Sequence, residues 1–547
     1  MFDNTIISLP HLTNQMVKGA RKTKLCAYAV AVEGWRRGLT LKWYTIDSGK
    51  FDDMITFGVN PPGRLFSLSS DERTHYFFRT RGDKVANEAV EIGSDKNETK
   101  IYLKRQGVAI PEGGKYAFEH SDEYIIEKTR EQGYPVVLKP TDASLGNGVV
   151  TNIRNDDQLK KALGYVRGKL GYQNLIVERY VTGEEYRVYV VEDQVVAVYN
   201  RLPANVTGDG EKTIRELIDE KNSQRLKNAR LFNCLINLDE ETLDFIQAAG
   251  YSLDSVVPKG EKILLKEKTN VSAGGDPIDV TDQFPEELKT LAINAVKAIP
   301  NLFHCGVDII VDIKKQPLDP VVIELNPTAQ IGGILFPMEG KARDIPKAIV
   351  DYYFPETKEI ETEREKIYFD LNAVLDPLVN RSAQEVEVAP ALVGKIYRRK
   401  FILTGQVNRS RYHRMIKNFA FDHEISGYVY RTGEKEVEIV VATTETEKID
   451  QFKKMLKADT DLAVVKSIYE DKHEEPVKIG FEVYEELESS NLRNINTVVK
   501  RAEKELSKLK KSYRRLFKEP SKIKSSRSWR FSRPLRKISI NKRDEKA

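Results

Sequence analysis

Lys139 ends a short run of β-branched residues and opens a segment suited to binding phosphate. The sequence from 139 to 148 reads KPTDASLGNG, a loop of small residues with two glycines. Such a loop lets backbone N–H groups approach phosphate oxygens closely, while the lysine supplies positive charge. Taken alone, the segment is equally typical of an ordinary turn.

Two carboxylates follow in the segment VERYVTGEEYRV, residues 177–188. Glu178 ends a predicted strand, and Glu185 comes seven residues later. The donors and acceptors of a strand edge suit an adenine ring, and a carboxylate suits ribose hydroxyls. An ordinary hairpin would explain this segment as well.

A third group of oxygen ligands lies on two apolar strands. Asp308 lies within GVDIIVDI (306–313), and Glu324 and Asn326 lie within VVIELN (321–326). Residues at i and i+2 of a strand share a face, and antiparallel pairing would bring Asp308 beside the other two. Three oxygen donors among apolar residues suit Mg²⁺ with bound phosphates. The alternative is a buried polar network without a metal.

The elements that must position these residues form an α/β (α+β) pattern. Short β-branched runs alternate with helical apolar spacing in the central part of the chain, and residues 25–40 and 41–46 are predicted as a helix and a strand. Five segments are predicted: an α/β cap at 1–86, the main α/β body at 87–355, a polar linker at 356–366, a second small α/β domain at 367–485, and a basic tail at 486–547 with helical spacing at 490–518.

Composition excludes several classes of protein. The 547 residues are 40% hydrophobic, and no run of about 18 apolar residues predicts a membrane span. Cys26, Cys234 and Cys305 are far apart and odd in number, so neither a disulfide framework nor a zinc site is expected. The N-terminal residues lack the pattern of a secretory signal. A reduced, cytoplasmic compartment is the expectation.

The order of these motifs resembles the ATP-grasp carboxylate–amine ligases, and most closely the ATP-grasp region of cyanophycin synthetases. The resemblance covers about residues 80–355 and rests also on residues 94–111 (SDKNETKIYLKRQGVAIP), 201–218 (RLPANVTGDGEKTIRELI) and 270–282 (NVSAGGDPIDVTD). D-alanine–D-alanine ligases share the fold more distantly. The resemblance implies an ATP-grasp fold preceded by a small α/β cap.

The resemblance also implies a role for each matching residue. Lys96 and Lys139 would contact the ATP phosphates, and the loop with Ser144, Gly146 and Gly148 would close over them. The other implied roles are adenine binding by Glu178 and the backbone of Tyr180 and Val181, ribose binding by Glu185, metal binding by Asp308, Glu324 and Asn326, and contact with the acyl phosphate and substrate by Arg187, Arg201 and the loop beginning at Asn270.

The implied activity is amide-bond formation from a carboxylate and an amine, with ATP and Mg²⁺ (or Mn²⁺) as cofactors and an acyl phosphate as intermediate. An amino acid or peptide would be a substrate, and the acceptor would be a peptide, a polyamino acid or a cell-envelope glycan. Two alternatives remain: a phosphotransferase acting on a small acceptor, and a non-catalytic ATP-binding scaffold.

Two features depart from the closest resemblance. The family usually follows the ExN motif with two small residues and Pro-Gly, whereas here Pro327 follows directly and Gln330 occupies the place of the glycine. This loop borders the acyl site, so the identity of the substrate does not transfer. No GxxxxGK[ST] motif is present, so a second, Mur-ligase-like ATPase is not expected.

Residues 397–470 resemble acylphosphatase, which has a ferredoxin-like fold. The order strand, helix, strand, strand, helix, strand fits, but the positions of the phosphate-loop glycine, the arginine and the asparagine hold Arg409, His413 and Arg431. We therefore expect a degenerate domain that hydrolyses nothing. The basic set, which also includes Arg411 and Arg414, either binds an anion or forms a solvated helix face.

The tail is strongly basic. Residues 491–547 hold 20 Lys and Arg against 5 Asp and Glu, in a chain whose net charge is +5. Its segment SSRSWRFSRPLRKI (525–538) resembles a short C-terminal motif of some bacterial glycosyltransferases and surface-polysaccharide proteins. An anionic membrane surface or glycan is the expected partner, and nucleic acid is not. A disordered solubilising tail is the alternative, and an oligomeric state is left open.

Overall fold

The computed structural model describes residues 6–141, 148–267, 269–457 and 461–484. The predicted mixed α/β class is confirmed, with six sheets and thirteen α-helices in these ranges. The tail with its predicted helix at 490–518, as well as Ser144 and Gly146, lies outside the described residues. Within the described ranges, no helix has both the length and the apolar composition needed to cross a membrane.

The N-terminal unit packs a helix against an antiparallel sheet. Its elements are α1 (Leu25–Arg36), β1 (Thr40–Tyr44), β2 (Leu65–Ser69), β3 (Thr74–Phe78) and β4 (Arg81–Gly82). A helix and a strand are found where the sequence predicts them, but the helix ends at Arg36 instead of residue 40, and the strand covers Thr40–Tyr44 instead of 41–46. All twelve residues of α1 are buried, as expected for a helix with apolar residues on every side. The helix therefore belongs to the interior of the molecule.

The next part of the chain forms a small sheet flanked by helices. Its elements are α2 (Asn87–Ser94), α3 (Lys96–Arg105), β5 (Gly113–Tyr116), α4 (Asp122–Gln132), β6 (Val136–Pro140), β7 (Val150–Ile153), α5 (Asp156–Leu163) and β8 (Leu175–Arg179). The antiparallel order is β5-β8-β6-β7, which places Lys139 on β6 beside Glu178 on β8.

A larger antiparallel sheet follows, in the order β13-β10-β9-β14-β15. This part comprises β9 (Glu184–Val191), β10 (Gln194–Leu202), β11 (Asn205–Thr207), α6 (Ile214–Lys227), α7 (Glu240–Ala248), β12 (Lys262–Leu264), β13 (Asp276–Asp279), α8 (Glu286–Lys297), β14 (His304–Val311), β15 (Val321–Asn326), α9 (Gly332–Leu335) and α10 (Ile345–Tyr353).

Strand alternation gives the two faces of this sheet different partners. On β9, Tyr186 and Val188 pack with α8 in one core, whereas Tyr189 and Val191 pack with α1 and α10 in another. Glu185 and Arg187 share the face of Tyr189 but lie nearer the start of the strand. The face of the sheet that carries Glu185 and Arg187 therefore leads, along β9, into the core that the sheet shares with the N-terminal unit.

The segment that follows α10 returns to the N-terminal unit. It contains β16 (Ile367–Tyr368), α11 (Leu371–Val379) and β17 (Glu385–Glu387), and β17 pairs antiparallel with β1. The buried guanidinium of Arg36 donates hydrogen bonds to the Ile367 carbonyl at 2.9 and 2.6 Å. The division of the chain at residue 367 stays a prediction, and the packing places residues 371–387 against the N-terminal sheet.

The C-terminal unit has the predicted order of strand, helix, strand, strand, helix, strand. Its elements are β18 (Tyr397–Gln406), α12 (Ser410–Asp422), β19 (Ser426–Gly433), β20 (Glu436–Thr443), α13 (Thr446–Lys457), β21 (Val464–Lys472), β22 (Val477–Lys478) and β23 (Phe481–Tyr484). The sheet order is β21-β18-β20-β19-β23, and β22 pairs with β16. Apolar residues of α12 and α13 form its core with the sheet.

Acid should weaken the fold through His304, the first residue of β14. Its ring nitrogens lie 3.3 Å from the Tyr189 hydroxyl and 3.2 Å from the Tyr353 hydroxyl. Burial lowers the pKa of His304 from 6.5 to about 3. Between those values the unfolded chain binds a proton that the folded chain does not, so stability is lost as the pH falls from 6.5 towards 3.

We expect His304→Gln to remove this contribution. Between pH 7 and pH 4.5, the free energy of unfolding of the wild type should fall by about 2–3 kcal/mol more than that of the variant. Urea denaturation followed by circular dichroism measures both, with His423→Gln on the half-buried end of α12 as the control. Equal pH slopes for the wild type and His304→Gln would contradict the prediction.

Candidate active site

The core of the site is a row of side chains across neighbouring strands of the larger sheet. Arg187 on β9 is opposite Asp308 on β14, and Asp308 is opposite Glu324 on β15. Directly opposed residues on antiparallel strands have their Cβ atoms about 4.5–5.5 Å apart. The three predicted metal ligands are therefore brought together, since Asn326 shares the face of Glu324 and its Nδ2 lies 3.3 Å from Asp308 Oδ2.

Asp308 is held by two arginines. Its side chain is 1% exposed, and its two oxygens accept hydrogen bonds from Arg187 Nε and Nη2, both at 2.5 Å. Arg201 Nη1 lies 3.4 Å from Oδ2. Burial acts to raise the pKa of Asp308, but Arg187 and Arg201 outweigh it and hold that pKa below its ordinary value. The carboxylate therefore stays ionised, with both of its oxygens bound by Arg187.

Glu324 differs from Asp308 because no cationic group of the described ranges pairs with it directly. Among the described residues, its carboxylate has no hydrogen-bond or ion-pair partner. Burial and the neighbouring Asp308 raise its pKa, while Arg187, Lys96 and Lys139 act in the opposite direction. An unpaired carboxylate beside an ionised one, with an amide oxygen nearby, is a donor set that fits a divalent cation.

Gly306 makes room for this arrangement. A Cβ at Gly306 would lie 2.8 Å from Ala329 Cβ and 3.3 Å from Arg187 Cδ. The missing side chain lets the stem of Arg187 cross β14 and lets the loop after β15 pack closely. Pro327 in that loop is seated on Gly93 of α2, where a Cβ would lie 2.8 Å from Pro327 Cγ.

The smaller sheet contributes a buried cluster of opposite charge. The Glu178 carboxylate is 5% exposed and accepts hydrogen bonds from Lys139 on one oxygen and from Lys100 on the other. Burial alone would raise the pKa of Glu178, but the two ammonium groups hold it below its ordinary value. Lys96 begins α3, one turn before Lys100.

Other predicted nucleotide contacts are placed at the ends of strands β6, β8 and β9. Gly148 has a φ of +71°, and a Cβ there would lie 2.8 Å from Pro140 Cγ, so the position requires glycine. The Tyr180 N–H donates to the Pro135 carbonyl at 2.9 Å and is therefore already used. Val181 is half-buried just beyond it. Glu185 accepts hydrogen bonds from Arg201 and, at 2.5 Å, from the Thr269 hydroxyl.

The loop that begins at Asn270 is held in place by hydrogen bonds from a buried arginine. Arg225 on α6 is fully buried, and its Nη1 donates to Asp276 Oδ1 at 2.7 Å. Its Nη2 donates to the carbonyls of Gly275 at 3.1 Å and Val271 at 3.3 Å. The Asn270 carbonyl accepts from the Gly275 N–H at 3.1 Å, which closes the loop. These contacts set the loop next to Thr269 and Glu185.

Sequence reasoning missed Lys100, Thr269 and Arg225. The sequence contained a signal for Lys100, because a lysine four residues after Lys96 lies on the same face of a helix. The sequence contained no signal for the other two residues. Thr269 binds Glu185, which is 84 residues away, and Arg225 binds Asp276, which is 51 residues away. Such contacts depend on the tertiary fold.

The C-terminal unit holds the other predicted anion site. His413 is buried, and its Nε2 lies 3.0 Å from the Val407 carbonyl. Arg409 donates to Gln406 Oε1 at 2.6 Å and to the Asp461 carbonyl at 3.3 Å. The loop thus turns a carbonyl rather than an N–H group towards His413, and Arg409 is engaged by neighbouring residues.

Comparison with known proteins identifies two regions. Residues 93–331 match the family model of the ATP-grasp domain, and residues 399–483 match that of acylphosphatase. The chain is 36% identical over 332 residues to the cyanophycin synthetase of Trichormus variabilis, which covers 60% of this chain and 34% of that protein. It is 32% identical over 301 residues to the glutathione biosynthesis bifunctional protein GshAB of Clostridium perfringens, covering 53% and 38%.

Among solved structures, a bifunctional glutathione synthetase from Pasteurella multocida is similar, with 29% identity and a TM-score of 0.44. That match covers 54% of this chain and 41% of the other. The chain spans roughly a third of the length of the curated relatives it matches.

We expect Lys100→Met to weaken nucleotide binding. If Lys139 turns to a phosphate, Lys100 remains to neutralise the buried Glu178, and without it that carboxylate loses its partner. The Kd for ATP, measured by isothermal titration calorimetry, should rise roughly tenfold. The matched control is Lys104→Met, which removes an exposed lysine one turn further along α3. A Kd that changes equally little in both variants would contradict the prediction.

Proposed function

We propose that this chain, which contains an ATP-grasp domain at residues 93–331, is an ATP- and Mg²⁺-dependent ligase that joins a carboxylate to an amine. The observation that supports this best is the row of Arg187, Asp308 and Glu324 with Asn326 beside it. It combines a metal-ligand set with guanidinium groups on one face of a sheet.

Asp308, Glu324 and Asn326 are the residues that would hold Mg²⁺. When bound, the ion would neutralise phosphate oxygens and so help the terminal phosphoryl group to accept a nucleophile. Mn²⁺ has the same preference for oxygen ligands and is the alternative ion. The chain's own contribution is the unpaired carboxylate of Glu324 beside the ionised Asp308.

Lys96, Lys139, Arg187 and Arg201 supply the positive charge of the site. In the proposed reaction, an oxygen of the substrate carboxylate forms a bond to the γ-phosphorus of ATP, and the bond to the bridging oxygen breaks to release ADP. The amine then attacks the acyl carbon, and phosphate leaves. The protein provides position and charge rather than a covalent nucleophile, which is the usual mode of catalysis in phosphoryl transfer.

Amino acids or peptides are the substrates we propose. The similar proteins are named for the synthesis of cyanophycin and of glutathione, and glutathione is a peptide. The basic tail favours an acceptor at an anionic cell-envelope surface or glycan. The residues of that tail lie outside the described structure, so its support is the sequence alone.

Release of ADP tests the ligase directly. Purified full-length protein is supplied with Mg²⁺, ATP and pooled amino acids, and ADP is measured for the wild type and Glu324→Ala. Loss of a metal-ligating carboxylate should lower substrate-dependent release by about 100-fold or more. Glu286→Ala, which removes an exposed carboxylate at the start of α8, should leave the rate unchanged.

Mass spectrometry of the products separates the alternatives. An amide with one water lost supports the ligase, whereas a phosphorylated acceptor would establish a phosphotransferase. ATP binding without ADP release in any pool would favour the non-catalytic scaffold. Equal ADP release by the wild type and Glu324→Ala would contradict the assigned metal site.

We further propose that the acylphosphatase-like domain hydrolyses no acyl phosphate. His413 and Arg409 are engaged by neighbouring residues, and Arg414 is next to the position that matches the arginine of acylphosphatase. The full-length protein should hydrolyse benzoyl phosphate at the rate of the buffer alone, as followed by absorbance. A faster rate that falls to the buffer rate in Arg414→Gln would overturn this expectation.

A further inference from the structure

Three arginines from separate segments lie near the loop that follows the metal ligands. Arg230 packs against Gly332 of that loop, Arg79 precedes Thr80, whose hydroxyl donates to the Ala329 carbonyl, and Arg21 stacks on Phe232, two residues after Arg230. Arg21 precedes α1, Arg79 follows β3, and Arg230 follows α6. We call these three residues the arginine patch. The resemblance to known ligases assigned no role to any of them, and the sequence of the N-terminal unit indicated no chemistry.

Aromatic rings position two of these guanidinium groups. The Cζ atom of Arg79 lies 4.7 Å from the centre of the Phe57 ring and 4.9 Å from that of Phe78. The Cζ atom of Arg21 lies 5.0 Å from the centre of the Phe232 ring. Stacking fixes a planar guanidinium while leaving its N–H groups available for an anion.

In the described ranges, the arginines of the patch lack the carboxylate partners that several other arginines have. The buried Arg36, Arg64 and Arg81 also lack them, but those three donate to backbone carbonyls instead. Arg37, Arg343 and Arg364 are each paired with carboxylates at short distances. Among the described residues, no carboxylate lies within ion-pair distance of Arg21, Arg79 or Arg230. The Nε atoms of Arg21 and Arg79 are buried and have no hydrogen-bond partner within the ranges that the structure describes. Arg230 Nη1 donates to Cys234 Sγ at 2.9 Å, and the other guanidinium N–H groups of the patch make no hydrogen bond to the described residues, so they remain available as donors.

Further cations lie beside the patch. Burial and the neighbouring Arg64 lower the pKa of Lys24, and burial lowers the pKa of Arg79 with a further contribution from Arg64. Gathering like charges in a partly buried region is costly unless an anion balances them. The local excess of positive charge thus points to an anionic ligand.

The loop after β15 connects the metal ligands to the patch. At one end, Ala329 packs beside Gly306 and Arg187, and its carbonyl accepts a hydrogen bond from the Thr80 hydroxyl at 3.1 Å. At the other end, a Cβ at Gly332 would lie 2.7 Å from Arg230 Cδ. The loop therefore joins the strand of Glu324 and Asn326 directly to the residue that packs against Arg230.

We propose that the arginine patch binds a second anionic group, a carboxylate or a phosphate, of the substrate whose carboxyl group is activated. This inference rests on the proposed ligase function, because it takes the metal ligands as the place of activation. It assigns a substrate class: acids with a further negative charge, such as an acidic amino acid or an acid bearing a phosphate. The N-terminal unit would then help to select the substrate.

Binding without ATP gives the first test. The full-length protein is titrated by calorimetry with glutamate and with O-phosphoserine, and with glutamine and serine as their neutral counterparts. At least one anionic probe should bind more tightly than its counterpart, and the pair that shows the difference identifies carboxylate or phosphate. The proposal would be overturned if, in each pair, the anionic probe and its neutral counterpart had the same affinity, or if neither anionic probe bound.

Variants locate the binding to the patch. Arg79→Gln and Arg230→Gln should each raise the Kd of the anionic probe roughly tenfold, the effect of losing a charge-assisted hydrogen bond. Arg79→Lys keeps the aliphatic stem and the charge, so it should lose less affinity for the anionic probe than Arg79→Gln. This difference would show that the loss in Arg79→Gln does not come from misfolding. The control is Arg73→Gln, an exposed arginine on the β2–β3 hairpin paired with Glu72. Equal losses in Arg73→Gln and the patch variants would overturn the assignment.

Steady-state ADP release separates this inference from the proposed function. Patch variants should raise the KM for the anionic acid about tenfold while the KM for ATP stays within about twofold. Binding at the patch without ADP release would contradict the proposed ligase function but support the proposed anion site. ADP release that is equal for anionic and neutral acids, and unchanged in the patch variants, would keep the ligase and overturn the anion site.

Discussion

The buried ion pair between Asp308 and Arg187 is the interaction on which the candidate site depends. A carboxylate that is 1% exposed can remain ionised only because Arg187 binds both of its oxygens and Arg201 lies nearby. Removing one partner of such a pair typically costs about 3–5 kcal/mol, because the other charge is left buried and unpaired. Glu324 has no such partner in the part of the chain that the structure describes, and this difference between adjacent carboxylates makes the pair suitable for a cation.

The register of the larger sheet keeps this pair intact. Arg187, Asp308 and Glu324 share a face only when β9, β14 and β15 pair as they do. A slip of one residue would turn a strand's polar residues towards α8 and its core. The alternating apolar residues of each strand, such as Tyr186 and Val188 on β9, oppose such a slip because they are buried against that helix.

The N-terminal unit supports the site from the same face of the sheet. Tyr189 and Val191 lie on the same face of β9 as Arg187, and they pack in one core with α1. The helix is therefore next to the end of the polar row. The loop after β15 is consequently enclosed between Arg187 on one side and Thr80 on the other. A unit whose sequence contains no catalytic motif thereby comes to border the candidate active site.

The sequence by itself determined the fold class, the order of the C-terminal strands and helices, and the residues that form the polar row. It could do so because strand alternation and helical spacing are local properties, and Glu324 and Asn326 share a face whatever surrounds them. Only the tertiary structure decided that Arg187 binds Asp308, that Lys100 shares Glu178 with Lys139, and that Arg230 packs against Gly332 in the loop after β15. These contacts join segments far apart in the chain, and their partners are chosen by packing rather than by local pattern.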